Sequence, residues 1–122
     1  MKYMLLIYEA EAHEGEVDPE ELQKWFDLTE SMEEAGVMVA GDALQPVGTA
    51  TTVRARDGRT VTSDGPFAET KEQLGGFYIV DVPDLDEALR WAERMPNVGR
   101  GSIEVRPVME FDQHASGPTP AT

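Results

Sequence analysis

Thr62-Ser63-Asp64-Gly65-Pro66-Phe67-Ala68-Glu69-Thr70-Lys71-Glu72-Gln73-Leu74-Gly75-Gly76-Phe77-Tyr78-Ile79-Val80 runs from a strand end, through a tight turn and a polar loop, into the most apolar strand of the chain. Asp64 is short enough to bond its own backbone two residues on, Gly65 supplies backbone freedom, and Pro66 fixes the exit of the turn. The pair Gly75-Gly76 lets another backbone or a ligand come close as the strand begins. Within the strand over 77–82, Phe77 and Ile79 face one way while Tyr78, Val80 and Val82 face the other. Both faces are apolar, so the strand is covered from two sides.

The same requirement appears at the start of the chain. Over residues 2–8, Tyr3, Leu5 and Ile7 share one face and Met4, Leu6 and Tyr8 the other. This apolar stretch is too short for a signal peptide, meets Glu9 at once and lacks a small-residue cleavage site, so it reads as a strand. An acidic loop over 9–17 contains His13. Asp18-Pro19-Glu20-Glu21 then opens a helix, with Asp18 as N-cap, Pro19 at the first helical position and Glu21 completing a capping-box-like arrangement. Leu22, Trp25, Phe26, Thr29 and Met32 follow at helical spacing as an inner stripe that suits either the lining of a cofactor pocket or core packing, with core packing the preferred reading, and Gly36 ends the helix. Residues 37–40 form a second strand that leaves through a turn at 41–46.

Residues 51–62 read as a hairpin about Asp57-Gly58, the strongest two-residue hairpin signal. A tight turn sets Arg56 opposite Arg59 and Arg54 opposite Val61, so that Arg54, Arg56 and Arg59 share a face. This basic patch suits an anionic ligand, or else an acidic loop or helix of the same chain or of a partner. After the strand at 77–82, Asp84-Leu85-Asp86-Glu87 caps a second helix with Leu85, Ala88, Leu89, Ala92 and Met95 inside. A last strand covers 102–109, with Pro107 marking an edge or bend.

The order strand-helix-strand, hairpin, strand-helix-strand predicts an α+β, ferredoxin-like βαβ-hairpin-βαβ sandwich. Two helices cover one face of its sheet. The other face is apolar too, and homodimerisation through that open face is the simplest cover. The 122 residues read as one domain over 1–111 with a loosely held tail over 112–122 that contains His114. A net charge of −14 argues against nucleic-acid binding and against an anionic membrane surface. No apolar run is long enough to span a membrane, and the absence of cysteine fits the cytoplasm.

The run Asp64-Gly65-Pro66-Phe67-Ala68-Glu69-Thr70-Lys71-Glu72 resembles the signature of the DGPF group of YCII-related proteins. So does Ala35-Gly36 followed, four residues on, by Gly41-Asp42-Ala43-Leu44-Gln45-Pro46. The resemblance covers residues 1 to about 111. It implies a dimeric α/β barrel with a cleft between sheet and loops, in a family whose activity is mostly unsettled. In the wider group a His-Asp pair in the cleft suggests catalysis. The aspartate here is Asp64, while neither His13 nor His114 matches the group's histidine.

Asp64 therefore reads either as an acid or base of a cofactor-free enzyme or as a turn residue. Glu69, Lys71 and Glu72 gather in the same polar loop, and Asp42 and Tyr78 line the same cleft if the sheet pairs as expected. Asp42, Glu69, Lys71 and Tyr78 are the candidate ligand-binding residues. There is no phosphate loop, no dinucleotide fingerprint, no zinc spacing and no nucleophile elbow around Ser63, so no cofactor or metal is expected. The expected function is that of a small-molecule-binding dimer and candidate enzyme. The alternative is a non-catalytic regulatory or protein-interaction module linked to sigma-factor signalling, because genes of the family often neighbour those of extracytoplasmic-function sigma factors.

Overall fold

The computed structural model of the chain describes residues 1–10 and 18–111. Its elements are β1 (Lys2–Glu9), α1 (Pro19–Glu34), β2 (Met38–Ala43), β3 (Thr51–Arg56), β4 (Arg59–Asp64), β5 (Gln73–Asp81), α2 (Leu85–Glu93) and β6 (Ser102–Pro107), with a short 3-10 turn at Val47–Thr49. β2, β5, β1 and β6 lie side by side in that order in an antiparallel sheet, and β3 and β4 form a separate pair. The chain is α+β, and its four-stranded sheet is open rather than closed into a barrel. Each helix joins two strands that admit a third between them: β5 separates β1 from β2, and β1 separates β5 from β6.

The helices cover one face of the sheet. Tyr3, Leu5 and Ile7 of β1 and Tyr78 and Val80 of β5 are buried there, with Val82 just beyond, against Leu28, Met32, Ala88 and Met95. Burial of that much apolar surface is the main favourable term in folding. The opposite face carries Met4, Leu6 and Tyr8 beside Phe77 and Ile79, all half-buried. The two-faced reading of β1 and β5 holds residue by residue.

Local chemistry sets the helix ends. The Asp18 carboxylate accepts from the Glu20 N–H at 3.1 Å, and Pro19 occupies the first turn. At the other end Gly36 has φ +71, its N–H donates to Glu33 and the Val37 N–H donates to Met32, which closes the last turn of α1. The Asp84 carboxylate caps α2 by accepting from the Glu87 N–H at 3.0 Å.

Several expectations need correction. Glu21 closes no capping box; it pairs with Arg100. The buried residues of α1 are Leu28 and Met32, whereas Phe26 is 59% exposed and Leu22 38%. Leu85 and Leu89 of α2 are likewise exposed, and the small Ala88 and Ala92 face the sheet instead. β2 does not turn away at Gly41. It continues to Ala43 because Asp42 and Ala43 pair with Phe77 and Gly76 of β5. For the same reason β5 starts at Gln73, before the glycine pair. Gly75 is the extra residue of a bulge, since Ile7 pairs with Gly76 and Tyr8 with Leu74.

The β3–β4 hairpin has the expected register, with Arg56 opposite Arg59 and Arg54 opposite Val61. Asp57 and Gly58 both take positive φ, 51° and 75°, as a two-residue turn with matching twist requires. No described helix is long and apolar enough to cross a membrane. The tail over 112–122 and most of the acidic loop, including His114 and His13, lie outside the described residues.

Candidate functional site

Two glycines on the helix-facing side of the sheet leave a gap that side chains fill elsewhere. Gly41 stands opposite Tyr78, and Gly76 stands opposite Ile7 and Ala43. A Cβ at Gly41 would lie 2.7 Å from the Tyr78 ring, and one at Gly76 would lie 2.8 Å from the Asp42 carbonyl oxygen. Above this floor passes the first half of α1. The result is a cleft of about 400 Å³ roofed by Leu22, Trp25, Phe26 and Thr29 and floored by Gly41, Gly75, Gly76 and Tyr78. Ile7, Met38 and Ala43 add apolar wall and Glu9 adds a carboxylate, while Asp42 and Phe77, paired with each other and facing the other side of the sheet by register, border the cleft through their backbone. The exposed half of the α1 stripe thus lines a cleft rather than a core.

Trp25 and Tyr78 stack, with ring centroids 6.5 Å apart and planes 17° from parallel. The Tyr78 hydroxyl is 2.7 Å from that of Thr29, whose oxygen is 3.0 Å from the Trp25 carbonyl. Between β1 and α1, Arg100 bridges Glu9, at 3.0 Å, and Glu21. Burial opposes the Arg100 charge, yet the hydrogen bond to Glu21 and the Glu9 charge outweigh it and hold its pKa above the ordinary guanidinium value. The loop that presents Arg100 is tied down by buried Asn97, whose carbonyl accepts from the N–H groups of Arg100 and Gly101 at 3.0 and 2.8 Å.

A second, shallower depression of about 500 Å³ lies at the Asp-Gly-Pro loop, between Ala10, Val47, Gly48, Gly65, Pro66, Glu69, Thr70, Lys71 and Gln73. Its backbone is laced to the hairpin. The Gly65 N–H donates to Ala50 at 2.7 Å, Thr52 Oγ1 donates to the Gly65 carbonyl at 2.8 Å, and Arg54 donates to the Phe67 carbonyl at 3.1 Å.

A model of the YCII-related domain matches residues 1–112. The chain belongs to the YCII-related family. It is also 40% identical over 114 residues to an uncharacterised protein of Rhizobium meliloti (strain 1021), an alignment that takes in 88% of this chain and 92% of that one.

In this YCII-related chain the sequence-derived candidates fall into three groups. Tyr78 lines the α1 cleft, which Asp42 borders through its backbone while its register turns it to the Phe77 face, and Glu69 and Lys71 meet at the second depression. Asp64 lines neither. It sits exposed at the end of β4, opposite Thr51, and its carboxylate makes no hydrogen bond among the described residues. The expected bond from Asp64 to the backbone two residues on is absent because that residue is Pro66, which has no N–H to donate. Phe67, beside it, is 77% exposed. Arg54, Arg56 and Arg59 share a face as the register requires, and none pairs with a carboxylate of either helix. Among the described residues, no group of three His, Cys, Asp or Glu side chains is placed to hold a metal ion.

Sequence reasoning preferred core packing to a pocket lining for the stripe that holds Leu22, Phe26 and Thr29, and missed Gly41 as a cleft residue. The glycine pair at 75–76 was the signal for close approach, but its partner Gly41 gains meaning only once the register is known.

The lacing of the signature turn separates backbone from side-chain roles. Removing the Thr52 hydroxyl in Thr52→Val leaves the Gly65 carbonyl short of a donor, worth about 1 kcal/mol or roughly fivefold faster amide exchange across β3–β4. Asp64→Asn should leave those exchange rates within about a factor of two, the range of exposed substitutions. Equal loosening by both variants would make Asp64 a structural turn residue.

Proposed function

We propose that this protein is a small-molecule-binding homodimer whose ligand occupies the cleft between α1 and the sheet. One observation carries the reading: Gly41 and Gly76 clear the sheet beneath a half-apolar helix that exposes Leu22, Trp25 and Phe26 to the gap. Pockets for small molecules have this character, apolar walls with a few convergent polar groups. At about 400 Å³ the cleft suits a molecule of one or two rings. Of the residues singled out from the sequence, Tyr78 brings its hydroxyl to this cleft and Asp42 borders it through its backbone.

The dimer follows from the uncovered sheet face. Met4, Leu6, Phe77 and Ile79 form its apolar centre, with Lys2, Glu104 and Arg106 toward the margins by register. Tyr8 belongs to the same face. Burial first, then its hydrogen bond to Glu104 and that carboxylate's charge, raise its pKa above the ordinary phenol value, against the opposing pull of Arg106. The face is therefore uncharged at Tyr8 across the neutral range. Pairing two ferredoxin-like sheets through it gives the dimeric α/β barrel that the family resemblance implies. A small-molecule enzyme without cofactor remains the form of activity this architecture suits.

Two outcomes are expected. Ile79→Lys places a charge at the centre of the open face and should convert a dimer to a monomer in analytical ultracentrifugation, with helix content unchanged by circular dichroism. A monomeric wild type at tens of micromolar, or a dimeric variant, contradicts the interface. Ala43 is exposed beside Gly76 at the cleft, so Ala43→Phe should fold and obstruct it. Apolar one- and two-ring fragments at a hundredfold excess over their dissociation constants should stabilise wild type by about 2.7 kcal/mol and leave Ala43→Phe unshifted. Equal shifts in both proteins would move the site elsewhere.

A further inference from the structure

Resting on the α1 cleft as the ligand site, we infer that it selects cationic hydrogen-bond donors, aromatic amines above all, and rejects carboxylates and phosphates. The first support is a count of protons. Thr29 Oγ1 stands 3.0 Å from the Trp25 carbonyl oxygen and 2.7 Å from Tyr78 Oη. A carbonyl has no proton to give, and two oxygens at that separation without one between them repel. Thr29 therefore donates to Trp25, and Tyr78 donates to Thr29. Both hydroxyl protons are used within the protein. Tyr78, 8% exposed, keeps a lone pair and no free proton, so it accepts from a ligand and does not donate to one.

The second support is charge. Glu9 lines the cleft, and among the described residues no Lys, Arg or His side chain does. Arg100 stands nearby, but one guanidinium is shared between Glu9 and Glu21. Those three groups sum to a negative charge at the cleft mouth. Among the described residues an anionic ligand would meet this field with no unpaired cation to balance it. Among the described lining residues the remaining side-chain N–H belongs to the Trp25 indole, a neutral donor that leaves an anion's charge uncompensated.

The third support is the aromatic pair. Trp25 and Tyr78, stacked at 6.5 Å, offer π faces that attract a cation and accommodate a planar ring. Acceptor oxygen, acidic mouth and aromatic wall all favour the same ligand chemistry: a flat apolar body with an ammonium or N–H group at one end.

The test uses a matched trio on the full-length protein: indole, tryptamine and indole-3-acetate, titrated calorimetrically at 0.15 M and 0.5 M salt. Tryptamine is expected to bind at least ~10-fold more tightly than indole-3-acetate. Half or more of that advantage in log units should persist at 0.5 M salt, where attraction from the distant surface charge is screened. Thr29→Val frees the Tyr78 proton to face the ligand, so the amine-to-carboxylate ratio should fall, and Tyr78→Phe should weaken tryptamine more than indole.

Indole-3-acetate binding as well as tryptamine, with both lost in Ala43→Phe, would overturn the ligand class while sparing the site. Tryptamine binding that persists in Ala43→Phe would overturn the site and the inference together, as would no binding by any of the three. A preference that vanishes at 0.5 M salt would also overturn the inference, reducing it to the general attraction of an acidic protein for cations.

Discussion

The antiparallel pairing of β1 with β5 is the constraint on which the rest depends. These two strands run side by side from Lys2 opposite Asp81 to Glu9 opposite Gln73. Each is apolar on both faces, so neither can sit at an edge without leaving apolar surface in water. Once they are central, β2 must pair outside β5 and β6 outside β1. Each helix then crosses over the neighbouring strand on the way to its own partner. One face of the central pair becomes the core with Leu28, Met32 and Ala88, and the other remains for a second molecule in the proposed dimer.

The same pairing makes the cleft. Gly76 faces the helices by alternation with Tyr78 and Val80, and the bulge at Gly75, which shifts the register between Ile7 and Tyr8, pairs Leu74 with Tyr8 on the other face. Had the register continued unshifted, Leu74 would share the face of Gly76 and Tyr78, toward the helices. The lower half of α1, from Leu28 onward, packs in the ordinary way; the upper half stands over glycines. Arg100 spans from the end of β1 to the first turn of α1, so the roof of the cleft is held by charge where it is not held by packing. Such partly exposed ion pairs are individually weak. Here two carboxylates share one rigid guanidinium, which fixes the helix end more by geometry than by strength.

What was legible in the sequence was whatever local chemistry decides. Asp18, Asp84, Gly36 and Asp57-Gly58 act where they were expected to, because a cap or a two-residue turn needs only its neighbours. The two-faced character of β1 and β5 was equally plain from alternation. The ends of β2 and β5 were not, because long-range pairing extended both strands through residues that favour turns. Periodicity placed Leu22 and Phe26 on the inner side of α1, but it carries no information about what lies opposite. Only the register shows that glycines do. Asp64 illustrates the converse: the motif drew attention to its carboxylate, while the structural bonds of that turn run through the backbone of Gly65 and the Thr52 hydroxyl.

The most direct test of the central claim, that glycines on the sheet and the exposed half of α1 together form the ligand site, is a two-dimensional amide NMR titration with tryptamine. The account predicts shifts concentrated at Gly41, Gly76, Thr29 and the Trp25 indole N–H, with the amides of 64–72 little moved. Shifts centred on the Asp-Gly-Pro loop instead, with the α1 cleft silent, would contradict it.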